Sequence, residues 1–289
     1  MSQVVLPKKT SSLWWLKAIF STPSGIIGSV LVILVVLVAL FAPLLAPHGF
    51  AETNFNAPFQ KPRTVGYALG TDDLGRDILS RLFYGVRASL QVGIMSVVLA
   101  VVVGTPLGLL AGYFKKSDAV ISRLTDVMLA FPFIIIAVIM AAISGPSLTN
   151  AALALGVAQV PTMIRVVRGE TMRLKNADFV KAAIATDASK FRILGMHIMP
   201  NAVSSIIVQA TVILPAAVIG ESMLSFLGLG IQPPAPSLGI MLSDAQQYIF
   251  RAPATALWPG LAILIICLAF NLFGDALRDA LDPTSKKKH

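Results

Sequence analysis

The residue types that usually carry covalent or metal chemistry are scarce in this chain. Its three histidines, His48, His197 and His289, are far apart and form no HExxH motif, so we expect no metal site. No lysine follows a glycine, which excludes the nucleotide-binding sequence GxxxxGK[ST], and GxSxG is also absent. The single cysteine, Cys267, lies in an apolar run and cannot form an intrachain disulfide. We therefore expect no enzymatic activity and no cofactor bound by this polypeptide.

A cluster of opposite charges between residues 71 and 87 could indicate catalysis or metal binding. It contains three acids and three arginines, namely Asp72, Asp73, Asp77, Arg76, Arg81 and Arg87. We favour a structural interpretation, because apolar residues recur near helical spacing at Leu74, Ile78, Leu82 and Val86. The pattern predicts an amphipathic helix that Thr71 or Asp72 caps and that leads into the membrane. Asp77 and Arg81 are expected to pair, since they stand four residues apart.

Polar side chains inside otherwise apolar segments are the other candidates for function. Asp126 could relay protons, or it could simply pair with Arg123 three residues earlier. Glu221 is expected near an external helix end, paired with Arg251 or with an external helix. The remaining deep polar residues could line a translocation path or could hydrogen-bond between helices; they are Gln159, Ser205, Gln209 and Thr211.

The elements that must position these residues are membrane-spanning helices. Of the 289 residues, 56% are hydrophobic and only 13% are charged, whereas soluble domains have about 25% charged residues. A span needs about 20 mostly apolar residues. Six segments meet this requirement: 24–45, 87–112, 119–143, 148–166, 202–229 and 257–276. The sequence therefore predicts an all-α, polytopic membrane protein, with Pro132 kinking the third span.

The distribution of positive charge predicts the orientation of the spans. Most of the 23 lysines and arginines lie at the two termini and in the second–third and fourth–fifth connections. The positive-inside rule makes these regions cytoplasmic. The chain then consists of a cytoplasmic segment 1–23, the first span, an external segment 46–86, a core of five spans at 87–276, and a cytoplasmic tail 277–289. The net charge of +9 is explained by this topology and not by binding of nucleic acid.

Three glycines in the second span, Gly104, Gly108 and Gly112, recur at every fourth position. This makes two successive GxxxG steps. Small residues at that spacing allow a second helix to approach closely. We expect this face to pack against another helix in the centre of the bundle.

A polar, basic stretch at residues 165–201 separates the fourth and fifth spans. Its small residues predict a short helix, and Asp187 or Ser189 can cap a second helix after a break. Pro200 is expected to end the second helix, because proline disfavours helical geometry at the residue before it. The stretch therefore predicts a helix–turn–helix that projects from the membrane.

The order of residues in this stretch, FVKAAIATDAS…HIMPN, resembles the EAA loop of bacterial ABC-importer permeases. Four other stretches resemble the dipeptide/oligopeptide importer family, in particular the permease type with a long first periplasmic loop. These are LGTDDLGRDILSRLFYGVRASL, GLLAGYFKKSDAVISRLTDVMLAFP, ESMLSFLGLGIQPP and FNLFGDALRDALDP. The resemblance covers nearly all of the chain after about residue 20 and implies a type I ABC-importer permease fold.

The resemblance also implies that the loop 167–201 docks into a cleft of a separate ATPase subunit. The residues that correspond to the coupling motif are Phe179, Val180, Lys181, Ala182, Ala183, Asp187, Ala188, Ser189, His197 and Pro200. Two of them depart from the family pattern, which usually has Glu at the position of Lys181 and Gly at that of Asp187. Gly suits a tight turn that needs a positive φ, and Asp tolerates that conformation better than most residues. Lys181 reverses a charge, so the ATPase could carry a compensating acid or coupling could be weaker.

The function implied by the resemblance is ATP-driven import of a small solute, with this chain forming half of the translocation path. The implied partners are a homologous second permease, two ATPase subunits that bind ATP and Mg, and a periplasmic or lipid-anchored substrate-binding protein. Di- or oligopeptides are the first candidates for the substrate, and members of the family also import nickel, glutathione or glycosides. The alternatives from other classes are a secondary transporter driven by an ion gradient and a membrane-embedded enzyme.

Overall fold

The computed structural model describes residues 19–281 as a bundle of helices. The predicted terminal segments 1–23 and 277–289 lie partly outside these residues. In chain order the helices are α1 (Pro23–Leu45), α2 (Ile78–Tyr113), α3 (Lys115–Leu129), α4 (Phe133–Ser144), α5 (Leu148–Leu174), α6 (Asp178–Ala185), α7 (Lys190–Arg192), a π-helix (Ile193–Ile198), α8 (Met199–Phe226), α9 (Leu238–Gln246) and α10 (Ala254–Leu281). Within residues 19–281 no strand forms, so the predicted all-α class is confirmed.

The spanning helices agree in number with the sequence prediction, but the third span differs in shape. Five helices of the described chain are long and apolar enough to cross a membrane, and α3 with α4 makes a sixth if the pair is one span. These two helices are bent by 88°. Pro132 has an extended ψ of 130° and no N–H to donate, so the helix breaks there and does not merely kink.

The helix that contains the second span begins later than the predicted cap and includes the whole predicted span 87–112. Asp77 caps α2 by accepting a hydrogen bond from the N–H of Ser80 at 2.9 Å. The expected helix start at Thr71 or Asp72 is wrong, because Asp72 Oδ1 accepts the N–H groups of Leu74 and Arg76 and folds this stretch into a turn. The helix then continues for 36 residues.

The three glycines of α2 face α5 at very short range. A Cβ added at Gly104, Gly108 or Gly112 would lie 2.5–2.7 Å from the Cβ atoms of Met163, Val167 and Thr171, in that order. The two backbones therefore approach more closely than any side chain at these positions would allow. This contact forms the centre of the bundle, beside the buried cluster that α2, α5 and α8 share.

The segment 46–77, which the sequence predicts to be external, is held against α9 by charges that pair differently from the prediction. Arg81 lies 3.5 Å from Asp72 and 3.5 Å from Asp244 of α9, so its expected pairing with Asp77 is wrong. Arg76 contacts Asp72 at 2.6 Å and Asp244 at 3.4 Å. The turn at Asp72 brings the Asp72 carboxylate back towards Arg81 in the first turn of α2. A continuous helix from Asp72 onwards would not bring these two groups together.

Two further expected pairs also differ in the structure. Asp126 lies 3.4 Å from Arg165 of α5 and not beside Arg123, and both side chains of this pair are 63% exposed. Glu221 is fully buried and bonds to serine hydroxyls, whereas Arg251 lies over the ring of Phe59 at 4.7 Å, so the first of the two partners expected for Glu221, Arg251, is wrong. Arg165 and Ser89 come from distant parts of the chain, so sequence spacing could not identify these two contacts, whereas Ser225 lies only four residues after Glu221.

Candidate ATPase-coupling segment

The segment between α5 and α8 forms a short helix, a tight turn and a second helix. The turn after α6 has the hydrogen bonds of a Schellman motif: the Ala188 N–H donates to the Ala183 carbonyl at 3.1 Å, and the Asp187 N–H donates to that of Ile184 at 3.0 Å. Asp187 has φ 60°, the left-handed conformation that glycine usually adopts in this motif. This agrees with the positive φ that the sequence predicted for the turn.

The second helix begins where the sequence predicted but does not end at Pro200. Ser189 caps it, since its hydroxyl accepts the Arg192 N–H at 3.4 Å. The chain then passes through the π-helix Ile193–Ile198 directly into α8, and Met199 is helical with φ −55° and ψ −47°. The Met199 N–H donates to the Leu194 carbonyl, five residues back. This wider turn precedes Pro200, which occupies the first turn of α8, where a missing N–H is tolerated.

The predicted coupling residues fall into three groups by burial. Val180 is fully buried and Ala183 is 7% exposed, and both pack with Leu174, Ile193 and Ile198. Ala188 and His197 are half-buried, whereas the others are exposed, namely Phe179, Lys181, Ala182, Asp187, Ser189 and Pro200. One face of α6 therefore anchors the segment to the bundle, and the opposite face is open to a partner.

The charge at Lys181 already has a partner within this chain. Its Nζ lies 3.0 Å from Oδ1 of Asp178, one turn earlier on α6. Both side chains are largely exposed, so the pair contributes at most about 1 kcal/mol. Lys181 thus remains available to an acidic group on another protein.

Several large apolar side chains that sequence reasoning did not select also lie on the exposed surface of this segment, among them Ile184 and Phe191. Ile184 is 55% exposed and Phe191 is 72% exposed. Phe191 has only a distant ring contact, with Phe114 at 6.2 Å. The available signal was their position beside polar residues in a segment outside the spans, where a soluble surface normally has few such side chains.

The candidate path residues do not form a single group in the structure. Thr211 donates to the Val208 carbonyl of its own helix at 2.7 Å and lies against Gly274 of α10, so it serves helix packing. Gln159 is only 6% exposed and lies within hydrogen-bonding distance of Thr162. Ser205 and Gln209 are half-buried and share one face of α8, since they are four residues apart. These two remain the better candidates for a path.

Comparison with known families agrees with the helical architecture and covers most of the chain. Residues 104–287 match the family described as "Binding-protein-dependent transport system inner membrane component". Residues 12–62 match the "N-terminal TM domain of oligopeptide transport permease C". The first match alone covers more than half of the sequence.

Individual relatives support the same assignment. The dipeptide transport system permease protein DppC of Alkalihalophilus pseudofirmus is 47% identical over 91% of this chain and 86% of the relative. DppC of Haemophilus influenzae is 41% identical, with 91% of each chain covered. The glutathione transport system permease protein GsiD of Pectobacterium atrosepticum is 41% identical over 91% of this chain and 87% of the relative.

Among solved structures, an inward-facing MetNI methionine ABC transporter contains a chain with the same fold. The TM-score is 0.59 at 21% identity, and the match covers 71% of this chain and 98% of that one. Fold, sequence family and the five motifs thus agree, and a secondary transporter is not favoured. The chain belongs to the inner-membrane components of binding-protein-dependent transport systems, as a multi-pass permease of the dipeptide/oligopeptide type of ABC importer.

Proposed function

We propose that this permease imports di- or oligopeptides that a periplasmic or lipid-anchored binding protein delivers. The support comes from the relatives, whose names specify dipeptides and glutathione, itself a short peptide. Ser205 and Gln209 on α8 would line the path for these solutes. Polar groups at that depth require hydrogen-bonding partners or a hydrated cavity.

The segment 167–201 couples this chain to an ATPase in our proposal. The observation that carries it is the two-sided arrangement of α6: Val180 and Ala183 fix one face, and the other is exposed between two spanning helices. A partner protein that binds the exposed face and changes its own conformation would move α5 and α8, because one buried cluster joins both helices to α6. The solute cavity would then open alternately to the two sides of the membrane.

The ATPase belongs to partner subunits in this proposal. The sequence has no GxxxxGK[ST] motif, so ATP and Mg would bind to two separate ATPase chains. A homologous second permease would supply the other half of the path. Both termini and the segment 167–201 would face the cytoplasm, which the distribution of lysine and arginine supports.

Uptake into proteoliposomes tests the proposal. The vesicles would contain the chain purified with its partner subunits, and the binding protein would be added together with a radiolabelled dipeptide. We expect uptake to require ATP and to continue when ionophores collapse the ion gradients. Uptake that ionophores abolish and that ATP does not drive would contradict the proposal.

A further inference from the structure

Glu221 is a buried acid that has no role in the transport cycle proposed above. It lies near the end of α8 and is 0% exposed. Its Oε2 accepts a hydrogen bond from Ser89 of α2 at 2.7 Å, and its Oε1 accepts one from Ser225 at 2.7 Å. Among residues 19–281, no ion pair includes Glu221. A carboxyl group buried without a cation is costly unless hydrogen bonds hold it, so its position is determined by these hydroxyl groups.

Ser225 transmits the position of Glu221 to the turn that leads into α9. Its hydroxyl hydrogen points to Glu221, which leaves the oxygen free to accept the Ile231 N–H at 3.2 Å. Gly230 approaches so closely that an added Cβ would lie 2.2 Å from the Ser225 Oγ. Glu221 therefore sets the direction of the Ser225 hydroxyl, and that hydroxyl orders the turn.

The N-terminal end of α9 packs against α8 beside Glu221. Ser237 caps this helix, since its hydroxyl accepts the Ile240 N–H at 3.1 Å. A Cβ added at Gly239 would lie 2.2 Å from the carbonyl oxygen of Ser222, so the backbone of α9 contacts that of α8. Glu221 thus bonds to Ser89 of α2 and to Ser225 of its own helix, and Ser225 extends this group to the turn that leads into α9.

The other end of α9 is attached to the external segment through Asp244, which lies 3.4 Å from Arg76 and 3.5 Å from Arg81. At the opposite end, α8 is continuous with the candidate coupling segment. At 1.5 Å per residue, the distance along α8 from Met199 to Glu221 is about 33 Å. One helix therefore joins the coupling segment to the Glu221 group.

We propose that Glu221 is a positioning residue that ties α9 to α8, so that α9 follows every displacement of α8. The tie itself depends only on the contacts above. Its role in transport rests on the proposed function, in which an ATPase displaces α8.

Four substitutions separate this role from general stability. Glu221→Ala removes the hydrogen bonds to Ser89 and Ser225, and Ser225→Ala removes the hydrogen bond from the Ile231 N–H. Glu221→Gln can still accept from one hydroxyl and donate to another, so it should preserve the tie. The matched control is Ser96→Ala: Ser96 is a buried serine of α2 whose hydroxyl donates to the Ala152 carbonyl of α5 at 3.0 Å, away from α9.

The readout is the accessibility of a cysteine under α9. Met241 is 5% exposed, so Met241→Cys in a Cys267→Ala background should react slowly with a membrane-impermeant maleimide in membranes that contain the assembled transporter. We expect Glu221→Ala and Ser225→Ala to raise the labelling rate about tenfold or more, which is the effect of losing a strong buried hydrogen bond. Glu221→Gln and Ser96→Ala should change it by less than about twofold. An unchanged labelling rate in both Glu221→Ala and Ser225→Ala would overturn the tie. An equal rise of the labelling rate in Ser96→Ala would also overturn it.

Nucleotide distinguishes the tie from the proposed function. ATP with vanadate should change the labelling rate in the parent, and this change should be lost in Ser225→Ala. A change of equal size in both would refute the tie and leave the proposed function intact. If nucleotide has no effect in any variant while Glu221→Ala still exposes the cysteine, the tie holds and the proposed coupling fails.

Discussion

Replacing Asp187 with glycine should strengthen the turn that the candidate coupling segment depends on. Asp187 has φ 60°, and the left-handed conformation costs a residue with a Cβ about 1–2 kcal/mol, somewhat less for Asp. Glycine removes that cost but gains freedom in the open state, which leaves a net stabilisation of about 0.5–1 kcal/mol. The opening equilibrium of the turn should therefore fall by about two- to fivefold.

The matched control is the adjacent residue. Thr186 has φ −92° and ψ 16°, a conformation that does not require glycine, and its hydroxyl donates to the Ala183 carbonyl at 3.0 Å. Thr186→Gly should therefore destabilise the same turn by about 1 kcal/mol, the opposite sign. The two single substitutions to glycine, at adjacent positions, should therefore change the stability of the turn in opposite directions.

Hydrogen exchange on the purified transporter measures both variants. The amides to follow are those of Asp187 and Ala188, which donate to the carbonyls of Ile184 and Ala183. We expect slower exchange in Asp187→Gly and faster exchange in Thr186→Gly, with dipeptide uptake maintained or improved in the first. Equal acceleration in both variants would refute the assignment of the turn, and severe loss of uptake in Asp187→Gly would show that the carboxylate itself is required.

Three other predictions follow from the packing, charge and topology. Gly108→Ala should lower the melting temperature of the purified protein, because its Cβ would lie 2.7 Å from that of Val167 and such overpacking costs about 1–3 kcal/mol. Gly169→Ala adds a Cβ with nothing within 4 Å and should be neutral or stabilising, so equal losses in both variants would contradict the close contact. Lys181→Glu should leave the melting temperature nearly unchanged and weaken ATPase association, because an acidic group on the ATPase would then face a negative charge. Unchanged association would contradict the presence of that acidic group. A cysteine at Gly49 should react with an impermeant maleimide added outside the cell, and labelling from inside only would invert the proposed topology.

The sequence was informative where the physics is local or composition-based. Apolar length identified the spans, and the spacing of Gly104, Gly108 and Gly112 identified the close helix contact that the structure places against α5. The positive φ at Asp187 could be anticipated, since a tight turn between two short helices often needs it. These features depend on residue type and on spacing within one element.

The sequence was misleading where the outcome depends on tertiary partners. Arg81 was assigned to Asp77 by helical spacing, but the turn at Asp72 and the distant Asp244 determine its contacts. Pro200 was expected to end a helix, and the preceding π-turns carry the chain through it. The local pattern contains neither the fold-back of a loop nor a change of helical hydrogen bonding.

Co-purification is the most direct test of the central claim that this permease couples to ATPases through the exposed face of α6. Tagged chain would be extracted gently from native membranes, and everything bound to it identified by mass spectrometry, for the parent and for a variant that lacks residues 182–192. We expect a second permease and P-loop ATPases to purify with the parent, and we expect the variant to lose the ATPases while it retains the second permease. ATPases that remain bound to the shortened chain, or a parent that carries none, would contradict it.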